Sequence, residues 1–457
     1  MHGRVKNLLE EIERVKPAET SVSDQIVLDI YRRAEKIAQK VIVSRGIKAG
    51  DRTELLDNIL TSRLWGFPVM FFLLAAAFWV TLAGANYPSQ MLSEFLFWAG
   101  ARLAHLGHLA GVPERAVSFL VDGVYNCMAW VIAVMLPPMA IFFPCFSFLE
   151  ETGYLPRIAF NLDRIFKAAG AHGKQALTTC MGFGCNAAGV AACRIIESPR
   201  ERKIAMLTNC FIPCNGRFPT LIALSSLLFY GTGSHIRAAA AVTAAVLVGI
   251  AVSLAVSWLL SRTILKGIPS SFMVELPPYR WPPVGRVLVR SFLDRTVFVL
   301  GRAATVAAVA GGVIWFLANS GTGQAGLLAQ AAAHLDAPAK LLGLDGYILL
   351  AFLLGLPANE IVLPIALMGY LSASTMVEPG SLDQLHDLLF GEHGWTAVTV
   401  TCTILFSLLH YPCSTTLWTI WREGQGIKWA LLGALIPFTV ACAACFLTSH
   451  AAAFLGI

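Results

Sequence analysis

Charged residues are scarce in this sequence. Asp, Glu, Lys and Arg make up 14% of 457 residues, whereas 56% are hydrophobic. That ratio excludes an ordinary soluble domain and a disordered chain, and the mean hydropathy of +0.66 points to a polytopic membrane protein. The apolar runs also lack period-2 alternation, so a transmembrane barrel is not expected and the spans read as helices. Polar loops lack cysteine: all eleven Cys lie in or beside apolar runs, which leaves no framework of extracellular disulfides. Several catalytic strings are missing as well. No H-E-x-x-H is present, and the nearest approach to a phosphate loop, Gly170-Ala-His-Gly-Lys-Gln175, lacks both the first-glycine spacing and the hydroxyl residue. The chain is not expected to be an enzyme.

Residues 1–63 are charged and polar, and no cleavable leader is expected in them. The stretch IVLDIYRRAEKIAQKVI has apolar residues at helical spacing, and twelve Lys and Arg place the segment on the cytoplasmic side. The net charge of +6 is spread over several loops, as a topogenic excess would be; nucleic acid is not an expected partner. Candidate spans follow at 65–85, 119–148, 204–230, 238–261, 297–319, 396–421 and 429–449. Two further apolar stretches, 175–193 and 346–371, are interrupted by Gly, Pro or Asn.

Loops 149–174, 194–203 and 262–296 carry the positive charge. Loops 86–118, 320–345 and 372–395 are poor in it, the last holding Glu378, Asp383, Asp387 and Glu392 but no Lys or Arg. Each interrupted stretch therefore has both flanks on one side and reads as a re-entrant hairpin, one open to the cytoplasm and one to the outside; two short full spans are the competing reading. The order span, hairpin, span, span occurs twice with opposite orientation. Inverted repeats of this kind place a transport site near the bilayer midplane.

Two strings mark the same point in each half: Ile-Pro-Cys at 212–214 and Tyr-Pro-Cys at 411–413. The hairpins correspond as Gly182-Phe-Gly-Cys-Asn186 and Gly355-Leu-Pro-Ala-Asn359-Glu360. Each is a helix interruption, tolerated at membrane depth only inside protein or beside a cavity. Cys185, Cys214 and Cys413 sit at these breaks, next to Asn186, Asn215 and Ser414. Thiols with amide or carboxylate oxygens suit Fe²⁺, Mn²⁺, Co²⁺ or Zn²⁺. Glu360 is an intramembrane carboxylate, costly unless it has a function. A small buried packing residue is the ordinary role of any one such cysteine. His410 is read chiefly as a hydrogen-bonded core histidine, Arg217 as a stabiliser of a helix end, and the cluster Asp383, His386, Asp387, Glu392 and His393 as a solvated acidic loop or an entrance that gathers cations.

These residues give the chain a family likeness. FLEETGYLPRIAFNLDRIF (148–166), GFGCNAAGVAACRIIESPRER (182–202), NCFIPCNGRFPTL (209–221), ELPPYRWPPVGRVLVR (275–290) and YPCSTTLWTIWREGQGIKWAL (411–431) resemble the membrane domain of the ferrous iron transport protein B (FeoB) family over roughly residues 30–450. The resemblance implies an all-α polytopic membrane protein with two inverted Gate repeats, about seven spanning helices and two re-entrant or broken helical hairpins. It divides the chain into a cytoplasmic amphipathic segment (1–63), a first span with outer loop helices (64–118), a first Gate repeat (119–262), a cytoplasmic amphipathic linker (263–296) and a second Gate repeat (297–457). The family's iron-path cysteines fall on Cys185, Cys214 and Cys413, and its hairpin glutamate on Glu360, with Asn186 beside them. Where the family has Ala-Lys-Glu, this chain has Ala358-Asn359-Glu360 and so lacks a cation. Residues 1–63 resemble only the tail that leads from the family's GTP-binding domain into the membrane.

The expected function is import of Fe²⁺ or a similar divalent metal across a bacterial inner membrane, with no permanently bound cofactor and Fe²⁺ as the transported substrate. The expected partners are the metal, the lipid bilayer, a separate GTP-binding protein and further copies of the chain. Transport of a nucleoside-like solute and a scaffold role for a partner GTPase are the alternatives.

Overall fold

The computed structural model describes residues 22–41, 56–62, 64–230, 235–267, 279–320, 326–373, 375 and 381–456. Among these residues every regular element is a helix. Residues 275–278 of the ELPPYR string, Glu378, and the parts of 1–63 outside 22–41 and 56–62 lie outside the described residues. The N-terminal unit contains helix α1 (Val22–Val41), whose Ile26, Ile30, Ile37 and Val41 are exposed. The helix and its apolar spacing agree with the pattern read from the sequence.

The membrane unit begins with α2 (Gly66–Leu109), 44 residues long. At 1.5 Å per residue this is about 66 Å, roughly twice the thickness of a bilayer core. The stretch 86–118, expected to be an outer loop holding helices, is thus mostly a continuation of the first span. Pro88 is accommodated inside it. Helix α3 (Glu114–Glu151) crosses beside α2, with a π-helical stretch at Phe119–Tyr125. There follow α4 (Tyr154–Ala168), α5 (Gln175–Gly184), α6 (Asn186–Ala192), α7 (Pro199–Thr208), α8 (Phe218–Leu228) and α9 (His235–Arg262). Ser198 caps α7 through the Glu201 amide and Pro199 fills its first turn, the combination that starts a helix.

A short helix α10 (Val284–Arg290) leads through a π-helical turn into α11 (Phe298–Asn319). Then come α12 (Leu327–Leu341), α13 (Gly346–Leu354), α14 (Val362–Tyr370), the small α15 (Leu382–His386), α16 (Ala397–Leu409), α17 (Ser414–Gly424) and α18 (Ile427–Leu455). The order α3 to α9 is therefore repeated by α11 to α18, with α15 as the one addition. The packing repeats too: α5 lies on α6 as α13 lies on α14, and α8 lies on α9 as α17 lies on α18. The halves meet where α3 packs on α11, α8 on α16 and α6 on α17.

Among the described residues six helical stretches are long and apolar enough to cross a membrane, with α16 and α17 (Ala397–Gly424) counted as one; α12 and α13, bent by 107° at their junction, make a seventh if counted together. The expected span 204–230 is two short helices, α7 and α8, because Ile212-Pro-Cys-Asn-Gly-Arg217 interrupts it. The expected span 396–421 also carries a break, at His410–Cys413 between α16 and α17, but there the two helices together still form one crossing stretch. The chain is an all-α polytopic membrane protein whose broken elements coincide with the strings read as interruptions.

Candidate metal site

Each hairpin turns on one extended residue. Cys185 has φ −154° and ψ 123° between α5 and α6, and Ala358 has φ −152° and ψ 127° just before Asn359–Ile361. The matching angles put Cys185 opposite Ala358 and Asn186 opposite Asn359 in the repeat, as GFGCN and GLPAN suggest. At the first turn the extended residue itself keeps helical bonds, Cys185 N donating to Met181 O at 3.1 Å and Gly189 N to Cys185 O at 2.9 Å. The carbonyls left over just before each extended residue find partners in the second break of the same half. Asn215 N donates to Gly184 O at 3.3 Å, and Ser414 N donates to Leu356 O at 2.8 Å. The residue after each Pro-Cys thus ties its break to its hairpin. Ser414 Oγ adds a bond to Pro357 O at 3.3 Å.

Arg217 joins the two halves. Its side chain is wholly buried. Nη1 donates to Cys210 O (3.1 Å) and Leu408 O (2.7 Å); Nη2 donates to His410 O (2.9 Å) and Tyr411 O (3.1 Å). The guanidinium thus serves carbonyls freed at both breaks, which is the helix-end role expected of it. Its planar fork reaches four acceptors where an ammonium point charge would not. His410 is core: it is buried, its Nδ1 lies 2.8 Å from Phe406 O, and its ring packs 4.8 Å from that of Phe352.

The four breaks enclose a cavity of about 30 Å³, room for one or two waters or a single ion. Cys185, Asn186, Cys214, Glu360 and Cys413 all line it. Every site residue picked from the sequence is therefore at one place, contributed by both halves. The Glu360 carboxyl reaches across to the first break, where a Cβ on Gly216 would run into it. Cys413 begins α17 and its thiol lies 3.3 Å from Thr416 Oγ1. Asn186 is held from behind: its amide nitrogen donates to Gly182 O and Ile212 O at 3.1 Å and to Asn209 O at 3.3 Å, in the orientation that satisfies the group. Asn209 in turn is wedged where a Cβ on Gly182 or Gly189 would stand. That packing explains the glycines on either side of the hairpin turn.

Among the described residues, no three His, Cys, Asp or Glu side chains form a ready metal cluster. The three thiols and the carboxyl share a cavity without closing on one point. The cavity also has walls that the sequence did not single out: Met135 and Met139 from α3, and Asn359 and Thr415 from the second half. The methionines were hidden in an unbroken apolar run. Asn359 was noticed only for the charge it lacks.

All eleven cysteines are free. The C-x-x-C string at Cys442 and Cys445 is part of the continuous helix α18, where Cys445 Sγ bonds Cys402 O at 3.3 Å and acts in helix packing. The acidic cluster near α15 is also held by structural contacts. Asp383 accepts from Tyr230 at 2.7 Å, and His386 stacks on Tyr230 with ring centres 4.1 Å apart. At the opposite end of α17, Arg194 and Glu423 form a bidentate pair at 2.6 and 2.7 Å that again links the two halves.

Two family models match the chain. Gate, described as nucleoside recognition, matches residues 132–228 and 300–426, and the model of the ferrous iron transport protein B C terminus matches residues 242–294. The two Gate segments fall on the two halves of the repeat. Among known proteins, the Fe(2+) transporter FeoB of Synechocystis is 25% identical over 88% of this chain and 64% of its own length. That of Methanocaldococcus jannaschii is 28% identical over 89% and 59%. A fusion of Fe(2+) transport protein A with Fe(2+) transporter FeoB from Porphyromonas gingivalis is 25% identical over 86% and 51%. The chain thus spans about half to two thirds of the length of these relatives. No solved structure matches it.

Proposed function

The chain belongs, through its membrane part, to the ferrous iron transport protein B family, and from that premise we propose that it carries Fe²⁺ or a similar divalent metal across a bacterial inner membrane through the cavity between its two halves. The observation that carries this reading is the meeting of three thiols, a carboxyl and an amide from four separate helix breaks in one cavity of about 30 Å³. Cys185, Cys214 and Cys413 replace part of the ion's hydration with soft ligands, and Glu360 and Asn186 contribute harder oxygens. A transported ion must be held well enough to enter and loosely enough to leave. Ligands that line a cavity without forming a closed cluster suit that requirement better than they suit a resident metal centre.

With the N-terminal segment in the cytoplasm, an inside-negative potential favours entry by about 2.3 kcal/mol per charge per 100 mV. Gating then falls to movement of the broken helices, set by a separate GTP-binding protein or by coupling to protons or potential. The cavity is too small for a nucleoside, which needs about 300 Å³ or more. A second cavity of about 370 Å³, lined by residues such as Leu73, Phe148 and Val287, offers no amide or charged side chain.

The test is uptake by anaerobic bacterial cells stripped of their own ferrous uptake, comparing labelled iron with labelled adenosine. Iron should accumulate, Glu360→Gln should reduce it about tenfold or more, and adenosine should not accumulate. Adenosine uptake without iron uptake would overturn the reading. Neither uptake, together with co-purification of a small GTPase, would favour the scaffold role.

A further inference from the structure

The thiols and the carboxyl are only part of the cavity's chemistry. Two residues that carry neutral oxygens also line it, Asn359 and Thr415. Both are more than nine-tenths buried, and neither Asn359 Oδ1 nor Thr415 Oγ1 has a hydrogen-bond partner among the described residues. Buried polar atoms are nearly always paired, and an unpaired one costs free energy unless a ligand or water takes it.

The repeat shows how unusual this is. Asn186, the counterpart of Asn359, has its amide nitrogen engaged by three carbonyls. Gly216, the counterpart of Thr415, has no side chain and leaves space for Glu360. The second half therefore presents oxygens where the first half presents a braced amide and a gap. Nothing on the breaks themselves consumes those oxygens. Ser414, between Cys413 and Thr415, spends its hydroxyl on Pro357 O, and Thr416 spends its own on the Cys413 thiol.

We propose that Asn359 Oδ1 and Thr415 Oγ1 are direct ligands of the transported cation, and that they determine which divalent ion passes. This rests on the reading of the cavity as a cation site. Amide and hydroxyl oxygens are hard donors, so they favour ions such as Mn²⁺ and Fe²⁺ relative to soft ions held by thiols alone. The half that carries them has Ala358 in place of a hairpin thiol, so it offers these oxygens beside one thiol, Cys413, while the first half offers two, Cys185 and Cys214. An ion with mixed preference is then bound by oxygen and sulfur together, and a soft ion such as Cd²⁺ is bound mainly through the three thiols.

The experiment is equilibrium binding of Mn²⁺ and of Cd²⁺, each alone, to the purified full chain in lipid nanodiscs by calorimetry. Asn359→Leu and Thr415→Val should each weaken Mn²⁺ about tenfold, and Cd²⁺ less than about threefold. Asn359→Asp and Thr415→Ser retain an oxygen and should keep Mn²⁺ affinity. Retained Cd²⁺ binding shows that the apolar variants are folded. Unchanged Mn²⁺ affinity in both apolar variants, or equal loss of both ions, would overturn the oxygen assignment while leaving the metal reading intact. Failure of the wild-type chain to bind either ion would overturn the metal reading itself.

Discussion

At the scale of single residues, the chemistry depends on a few polar groups placed where helices stop. Arg217 shows the cost of such a stop and its remedy. Two broken helices at membrane depth leave carbonyls without amides, and water is not there to take them. One guanidinium, buried among the ends of both breaks, donates to four of them. Replacing Arg217 with Met leaves those acceptors unpaired, and each unpaired buried group costs about 1–3 kcal/mol. Thermal unfolding in detergent should therefore shift strongly downward, and Arg217→Lys should recover less than half of the loss, because an ammonium cannot span the same acceptors. An Arg217→Met chain with wild-type thermal stability would contradict this role. Most of this residue-level picture could be read in the sequence, since Pro-Cys within an apolar run announces a break and a buried thiol together. Met135, Met139 and Thr415 could not. Nothing distinguishes a cavity-lining methionine from a packing one until the helices are assembled, and Thr415 follows Ser414 in a polar run that gives no hint of which hydroxyl is spent on the backbone.

At the scale of elements, the breaks work in pairs. Each hairpin is held by the residue after its own Pro-Cys, through Asn215 in one half and Ser414 in the other. Each half also intrudes on the other, most closely where Glu360 fills the space above Gly216. A methyl group at position 216 must displace the carboxyl or the break. Gly216→Ala should lower thermal stability, and Gly216→Ala with Glu360→Ala should lose less than the sum of the two single changes, by about 1 kcal/mol or more for residues in direct contact. Strict additivity in that cycle would show that the two are not in contact. The sequence marked Glu360 but neither Gly216 nor their meeting, which joins positions 144 apart in number and needs the two repeats to be docked. The length of α2 was hidden for a different reason. Its second half carries Gln90, Glu94 and Arg102 and follows Pro88, signals of a span's end, yet the helix continues through them.

At the scale of the whole molecule, the architecture is a repeated unit with a cavity on the shared face. The alternation of basic and acidic loops disclosed the two halves, because charge has to respect the membrane even when hydropathy is ambiguous. The two Gate matches fall on those same halves. Contacts between halves lie at several levels: Arg194 with Glu423 at one end, Tyr230 with Asp383 at another, and the cavity of broken helices bounded by both. What remained hidden from the sequence was the size of that cavity, which depends on packing alone. The central claim is that a divalent metal passes through this cavity on its thiols. The most direct measurement is Fe²⁺ flux, under anaerobic conditions and an imposed inside-negative potential, into proteoliposomes containing only this chain, beside the variant carrying Cys185→Ser, Cys214→Ser and Cys413→Ser. Flux from the wild-type chain that falls at least about tenfold in the folded variant is the predicted result. Equal flux from both would contradict the account, because the metal would then be crossing by a route that does not use these thiols.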